Sequence, residues 1–154
     1  MEQVRFGVVG LGNMGSSHVT NLFGGKVPGA VLTAVCDIKP ARLDWARTVC
    51  GDAVAYYTDY KEMLASGNID AVMIATPHYW HPIIGMDAFD AGIHVLSEKP
   101  IGVYTKKVYE FMDKAEKSGL AFGIMYNQRT DKFYQKMREM VQGGELGELK
   151  RCIW

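Results

Sequence analysis

The chain has 154 residues, enough for one domain with a real core. Hydrophobic residues make up 48% and charged residues 22%, the balance of a globular chain rather than a disordered one. Basic and acidic side chains number 17 each, so nothing points to nucleic acid or an anionic membrane surface as partner. No apolar run reaches the roughly 18 residues that a membrane helix needs, and the N-terminus lacks the charged start and apolar centre of a signal peptide. Cys36, Cys50 and Cys152 are scattered, with neither metal-ligand spacing nor a disulfide framework, which fits a reducing cytoplasm.

Val4 to Val9 is a short apolar run of the kind that forms a buried parallel strand. It runs into Gly10-Leu11-Gly12-Asn13-Met14-Gly15, a Gly-x-Gly-x-x-Gly sequence. Ser16 to Phe23 then carries no proline, and Met14, Val19, Leu22 and Phe23 fall at helical spacings. The glycines therefore sit on a strand-to-helix turn. Gly10 permits the tight turn, Gly12 offers no Cβ to obstruct a pyrophosphate, and Gly15 lets the helix approach the strand. The free N–H groups at the helix start, around Asn13 and Met14, would face the phosphates, and the helix dipole favours their charge. Val31 to Cys36 reads as the second strand, with Asp37 at its carboxyl end. An acid about 20 residues past the glycines accepts the adenosine ribose hydroxyls of NAD and repels a 2′-phosphate. A turn or cap role before Pro40 is the plainer reading. Lys39 and Arg42 follow closely and are able to bind a 2′-phosphate, which leaves NADP as the second choice after NAD.

Pro40 suits the first turn of a helix to about Cys50, stopped by Gly51. Ala53 to Tyr57 is a third strand, and Thr58 is placed to cap a small helix from Asp59 to Ala65. Asp70 to Ala75 is a fourth strand, apolar along its length, followed by the turn Thr76-Pro77-His78-Tyr79-Trp80-His81. A helix from about Pro82 to Ala91 leads to the fifth strand, Ile93 to Ser97, and then Glu98-Lys99-Pro100. Thr105 is placed to cap a helix to about Lys117, and Leu120 to Met125 is the sixth strand, leading to Tyr126-Asn127-Gln128-Arg129. Asp131 opens a last helix through Val141, and Glu148 to Trp154 reads as one more strand.

Strand and helix alternate throughout, which predicts βαβ units and an α/β doubly wound parallel sheet of the Rossmann kind. Ligands in such sheets bind at the carboxyl ends of the strands, and five polar turns fall there. Thr76 and Pro77 would line a dinucleotide through backbone and apolar contacts, or simply make the strand-to-helix turn. His81 precedes a proline suited to the first helical position, which predicts an N-cap with a structural role. His78 and His81 lack a third partner at metal-ligand spacing, so no metal is expected. Tyr79 and Trp80 would either stack beside the cleft or lie beneath the following helix. Arg129 would contact the cofactor or substrate, or pair with Asp131. Met112, Met125, Met137 and Met140 are expected in the core.

Together these motifs resemble the glucose–fructose oxidoreductase / inositol dehydrogenase family of NAD(P)-dependent sugar and polyol oxidoreductases. The resemblance rests on GLGNMG with Asp37, on Ala75-Thr76-Pro77 followed by His81, and on Gly92-Ile93-His94-Val95 running into Glu98-Lys99-Pro100. Asn127-Gln128-Arg129 and Gly144-Glu145-Leu146-Gly147 resemble the close of that family's nucleotide-binding half. It implies that Gly10, Gly12, Asn13, Met14, Gly15, Asp37, Thr76, Pro77, His81, Glu98, Lys99 and Arg129 surround the cofactor. Glu98 would hold the nicotinamide ribose. Lys99 would be the catalytic residue at the reacting hydroxyl, and pairing with Glu98 would make it orient substrate more than accept its proton. The resemblance also implies residues 1–147 as the dinucleotide-binding domain and 148–154 as the start of a second, substrate-binding domain. On that reading the chain is a piece of a longer, homo-oligomeric cytoplasmic enzyme for a small sugar or polyol, and by itself turns over little. A non-catalytic NAD(P)-sensing or interaction domain is the alternative.

Overall fold

The computed structural model describes residues 3–153. Six parallel strands form one sheet: β1 (Val4–Val9), β2 (Ala30–Cys36), β3 (Ala55–Tyr57), β4 (Ala71–Ile74), β5 (His94–Ser97) and β6 (Phe122–Ile124). Their order across the sheet is β3-β2-β1-β4-β5-β6, so the chain winds one way from β1 and the other way from β4. The helices are α1 (Asn13–Phe23), α2 (Pro40–Cys50), α3 (Tyr60–Ala65), α4 (His81–Asp90), α5 (Thr105–Ser118) and α6 (Lys132–Gln142). Short 3-10 turns occupy His78–Trp80 and Asn127–Arg129.

Successive strand residues point to opposite faces, and the buried clusters divide accordingly. On one face Val8, Val35 and Met73 pack with Val19 and Leu22 of α1 and with Leu43, Ala46 and Cys50 of α2. On the other, Val9, Val72 and Ile74 pack with Met63 of α3, Ile84, Ala88 and Phe89 of α4, and Phe111 of α5. The α4–α5 approach depends on Gly85, where a Cβ would collide with the ring of Phe111.

Except for the last strand, the expected strands and helices form, with ends that differ by a few residues. The caps differ for a reason that the hydrogen bonds supply. Asp59 rather than Thr58 caps α3, its carboxylate accepting from the Lys61 N–H at 2.8 Å. Tyr104 rather than Thr105 stands at the N-cap of α5, without a side-chain bond. His81 lies inside the first turn of α4, because the preceding 3-10 turn places Trp80 at its N-cap. Asp131 does cap α6, accepting from the N–H groups of Phe133 and Tyr134. Met112 and Met137 are exposed rather than core. Phe111 and Ala115 take the buried stripe of α5, and α6 buries none of its residues. Residues 148–153 form no strand; a strand is made by pairing, and β6 is bonded only to β5. Trp154, the end of that expected strand, lies outside the described residues.

Candidate cofactor site

The sheet register aligns the strand ends. Val9 pairs with Cys36 and with Ile74, Cys36 pairs with Tyr57, Ile74 with Ser97, and Ser97 with Ile124. These six residues form one row, so the loops that leave them share one edge of the sheet. Along that edge runs a groove of about 540 Å³.

The glycine turn forms one wall. Gly10 has φ +87°, and a Cβ there would stand 2.7 Å from the Ala75 carbonyl oxygen. Glycine alone accepts that backbone and that approach. At Gly15 a Cβ would collide with the Gly10 carbonyl oxygen, so glycine sets how closely α1 meets the turn. Gly12 is different: a Cβ there would meet nothing within 4 Å. It caps α1 without a side-chain hydrogen bond, and the amides of the first turn that follow have no intrahelical acceptor. Gly12, Asn13 and Met14 line the groove, so this corner offers open space, unsatisfied donors and the positive end of a helix.

Asp37 lines the groove from the end of β2. Its Oδ2 accepts from the Leu11 N–H at 2.7 Å and its Oδ1 accepts from the Lys39 N–H at 2.8 Å. The turn role and the position beside the glycine loop are thus held together by the same carboxylate, and each oxygen keeps acceptor capacity for a hydroxyl. Lys39 and Arg42 line the same groove. Beneath it, burial and then the Asp37 carboxylate push the Cys36 thiol up to about 12. Tyr60 donates to Asp87 Oδ2 at 2.8 Å, and burial with that bond raises its phenol.

Past β4, Thr76, Pro77 and Trp80 complete the groove. The Thr76 hydroxyl oxygen is buried without a hydrogen-bond partner. Trp80 is 48% exposed on the groove, whereas Tyr79 is turned to Tyr104, ring centroids 5.9 Å apart. His81 is fully buried, its Nδ1 facing the Pro100 carbonyl and its Nε2 the Thr76 carbonyl, both at 2.8 Å. His81 joins the turns after β4 and β5 and does not line the groove.

Glu98 leaves β5 with its side chain 6% exposed. Its Oε1 takes a 2.7 Å bond from His18 Nε2 on α1, and its Oε2 accepts from the Lys99 N–H at 3.2 Å. The Glu98–Lys99 ion pair anticipated from sequence is absent among the described residues, and Lys99 is exposed without a carboxylate partner. Arg129 stands beyond β6 with its guanidinium 6.0 Å from the Tyr126 ring. Asp131 is engaged in capping rather than with Arg129.

Gly10, Gly12, Asn13, Met14, Asp37, Thr76 and Pro77 therefore surround one groove, while Gly15, His81, Glu98, Lys99 and Arg129 do not line it. Sequence reasoning passed over Ile38, Thr58, Tyr60 and Ile84, which do. Ile38 carries a readable signal: an isoleucine just past a strand end, left 81% exposed at the groove. His18 was also passed over, and nothing in its spacing announces the bond to Glu98.

The donor set fits a dinucleotide. A phosphate-sized opening faces free amides, a carboxylate stands one strand away, and an orphaned hydroxyl borders the cleft. Residues 4–126 match the family model described as oxidoreductase family, NAD-binding Rossmann fold (GFO/IDH/MocA). The chain belongs to this family. Among GFO/IDH/MocA relatives, inositol 2-dehydrogenase from Corynebacterium glutamicum is 32% identical over 151 residues, covering 96% of this chain and 44% of that protein. Scyllo-inositol dehydrogenase from Lactobacillus casei, solved with NAD(H) and scyllo-inositol, superposes with a TM-score of 0.88 at 32% identity, over 96% of this chain and 43% of that one. The WlbA dehydrogenase from Bordetella pertussis, in complex with NADH and UDP-GlcNAcA, superposes with a TM-score of 0.86 at 27% identity, over 96% and 45%. The chain thus spans less than half the length of these GFO/IDH/MocA relatives. Among its described residues no helix is long and apolar enough to cross a membrane, and no three His, Cys, Asp or Glu side chains are grouped to hold a metal ion.

Proposed function

We propose that this chain is the NAD-binding half of a dehydrogenase that moves hydride between the CH–OH carbon of a sugar or polyol and nicotinamide. The observation that carries the reading is the groove itself, with the open approach to Gly12 and the carboxylate of Asp37 on adjoining strands. The amides of Asn13 and Met14 take the pyrophosphate, and Asp37 accepts the adenosine ribose hydroxyls. Thr76 and Pro77 border the dinucleotide as it crosses β4. Asp37 and Glu98 follow strands three spacings apart, about 14 Å, so the nicotinamide half extends over β4 and β5.

When bound, NAD supplies the hydride chemistry, and the protein supplies position and charge. Lys99, free of any carboxylate, hydrogen-bonds the reacting hydroxyl and assists the departure of its proton. Each Glu98 oxygen has acceptor capacity beyond its present bond, which serves the nicotinamide ribose, and Arg129 contributes at the far end of the row. His81 serves as the staple between the two turns. The inositol and nucleotide-sugar ligands of the relatives favour a hydroxyl-rich ring as substrate. The reading assigns the protein to the cytoplasm, the full-length enzyme to a homo-oligomer and most of the substrate pocket to a further domain, so this chain alone binds NAD(H) and turns over little. Calorimetric titration with NADH tests it; saturable binding is expected, and no heat at millimolar ligand would refute it.

A further inference from the structure

We propose that His18 is a positioning residue for the nicotinamide end of the cleft, acting through the Glu98 carboxylate; the proposal rests on the NAD-binding reading above. Glu98 is the one buried carboxylate among the described residues. A buried carboxylate needs partners, and it has two: the His18 ring at 2.7 Å and the Lys99 backbone N–H at 3.2 Å. If Glu98 were simply the counter-ion of its neighbour, the Lys99 ammonium would meet it; among the described residues Lys99 is exposed and has no ion-pair partner instead.

His18 reaches Glu98 across 80 residues of sequence, from the helix whose first turn faces the groove. The bond thus ties α1 to the end of β5. On the far side of Lys99, the His81 ring holds the Pro100 carbonyl at 2.8 Å. The backbone is therefore held just before and just after Lys99, while its side chain makes no hydrogen bond or ion pair among the described residues. His81 is bound to backbone alone, so its loss would disturb the fold broadly. His18 touches a side chain, and its loss releases Glu98 and with it the Lys99 N–H, both on the nicotinamide side of the cleft.

The test uses this chain, NADH and ADP, which lacks the nicotinamide riboside. Calorimetry is run on wild type, His18→Leu and His18→Gln, whose amide N–H reaches toward the same oxygen. We expect His18→Leu to weaken NADH roughly tenfold or more, the factor that loss of one charge-assisted hydrogen bond gives, with ADP changed by less than about twofold. His18→Gln should recover most of the NADH affinity. If His18→Leu fails to fold because Glu98 is left half-paired, His18→Asn, whose polar side chain is too short to reach the Glu98 carboxylate, takes its place and should show the same NADH-selective loss. Equal weakening of both ligands would mean that His18 acts on α1 and the phosphates, and overturns the proposal. Unchanged NADH affinity overturns it too, as does a wild type that gains nothing from the nicotinamide half. Wild-type protein that binds neither ligand defeats the NAD reading itself, a distinguishable failure.

Discussion

Replacing Gly12 by Ala separates cofactor binding from folding. The backbone at Gly12, φ −71° and ψ −161°, is open to any residue, and a Cβ there meets nothing within 4 Å. Losing glycine at an N-cap costs roughly 0.5–1 kcal/mol, and stiffening the unfolded chain returns about 0.4–1 kcal/mol. The net change should lie within about 1 kcal/mol, a melting shift of roughly 2–4 °C at most. Binding should respond differently, because the new methyl stands where a phosphate must approach the first-turn amides. Losing one charge-assisted amide–phosphate bond, about 1.5–3 kcal/mol, weakens NADH by roughly tenfold to a hundredfold. Thermal melting and NADH titration on the same preparation measure both. A Gly12→Ala protein that binds NADH within about twofold of wild type would refute the placement of the pyrophosphate.

Asp37→Ser should reduce the preference for NADH over NADPH by at least roughly tenfold, because it removes the charge opposing a 2′-phosphate while Lys39 and Arg42 stay in the groove; paired titrations decide it. Gly85→Ala should cost about 1–3 kcal/mol in denaturant unfolding, since its methyl collides with the buried Phe111 ring. Cys36 makes stability fall in alkali. Its thiol titrates near 9.0 when unfolded and about 12 when folded, so between those values the native state holds the extra proton. Stability should then decline by about 1.4 kcal/mol per pH unit through that window, and Cys36→Ala should lack this component.

Much of the architecture was legible because its signals are local. An apolar run, a glycine turn and a proline-free helix announce a βαβ unit within a few residues of one another. Gly15 was readable for the same reason, since its Cβ would strike the nearby Gly10 carbonyl; at Gly10 the tight turn is local, but the close approach of Ala75 is not. Caps were harder, since Thr58 and Asp59 are both competent and the choice depends on which residue the chain leaves extended. The exposure of Met112 and Met137 was hidden because helical spacing does not say whether a neighbour arrives to cover a face. The least legible feature was the pairing of Glu98. Adjacency suggested Lys99, yet Glu98 takes only the Lys99 backbone N–H, and its side-chain partner came from α1. Long-range polar bonds of this kind leave no periodic trace.

The most direct test of the account is a crystal structure of this chain soaked with NADH. The account predicts the pyrophosphate against the amides of Asn13 and Met14 and a ribose hydroxyl within hydrogen-bond reach of Asp37. A dinucleotide bound elsewhere, or an adenosine ribose turned away from Asp37, would contradict it.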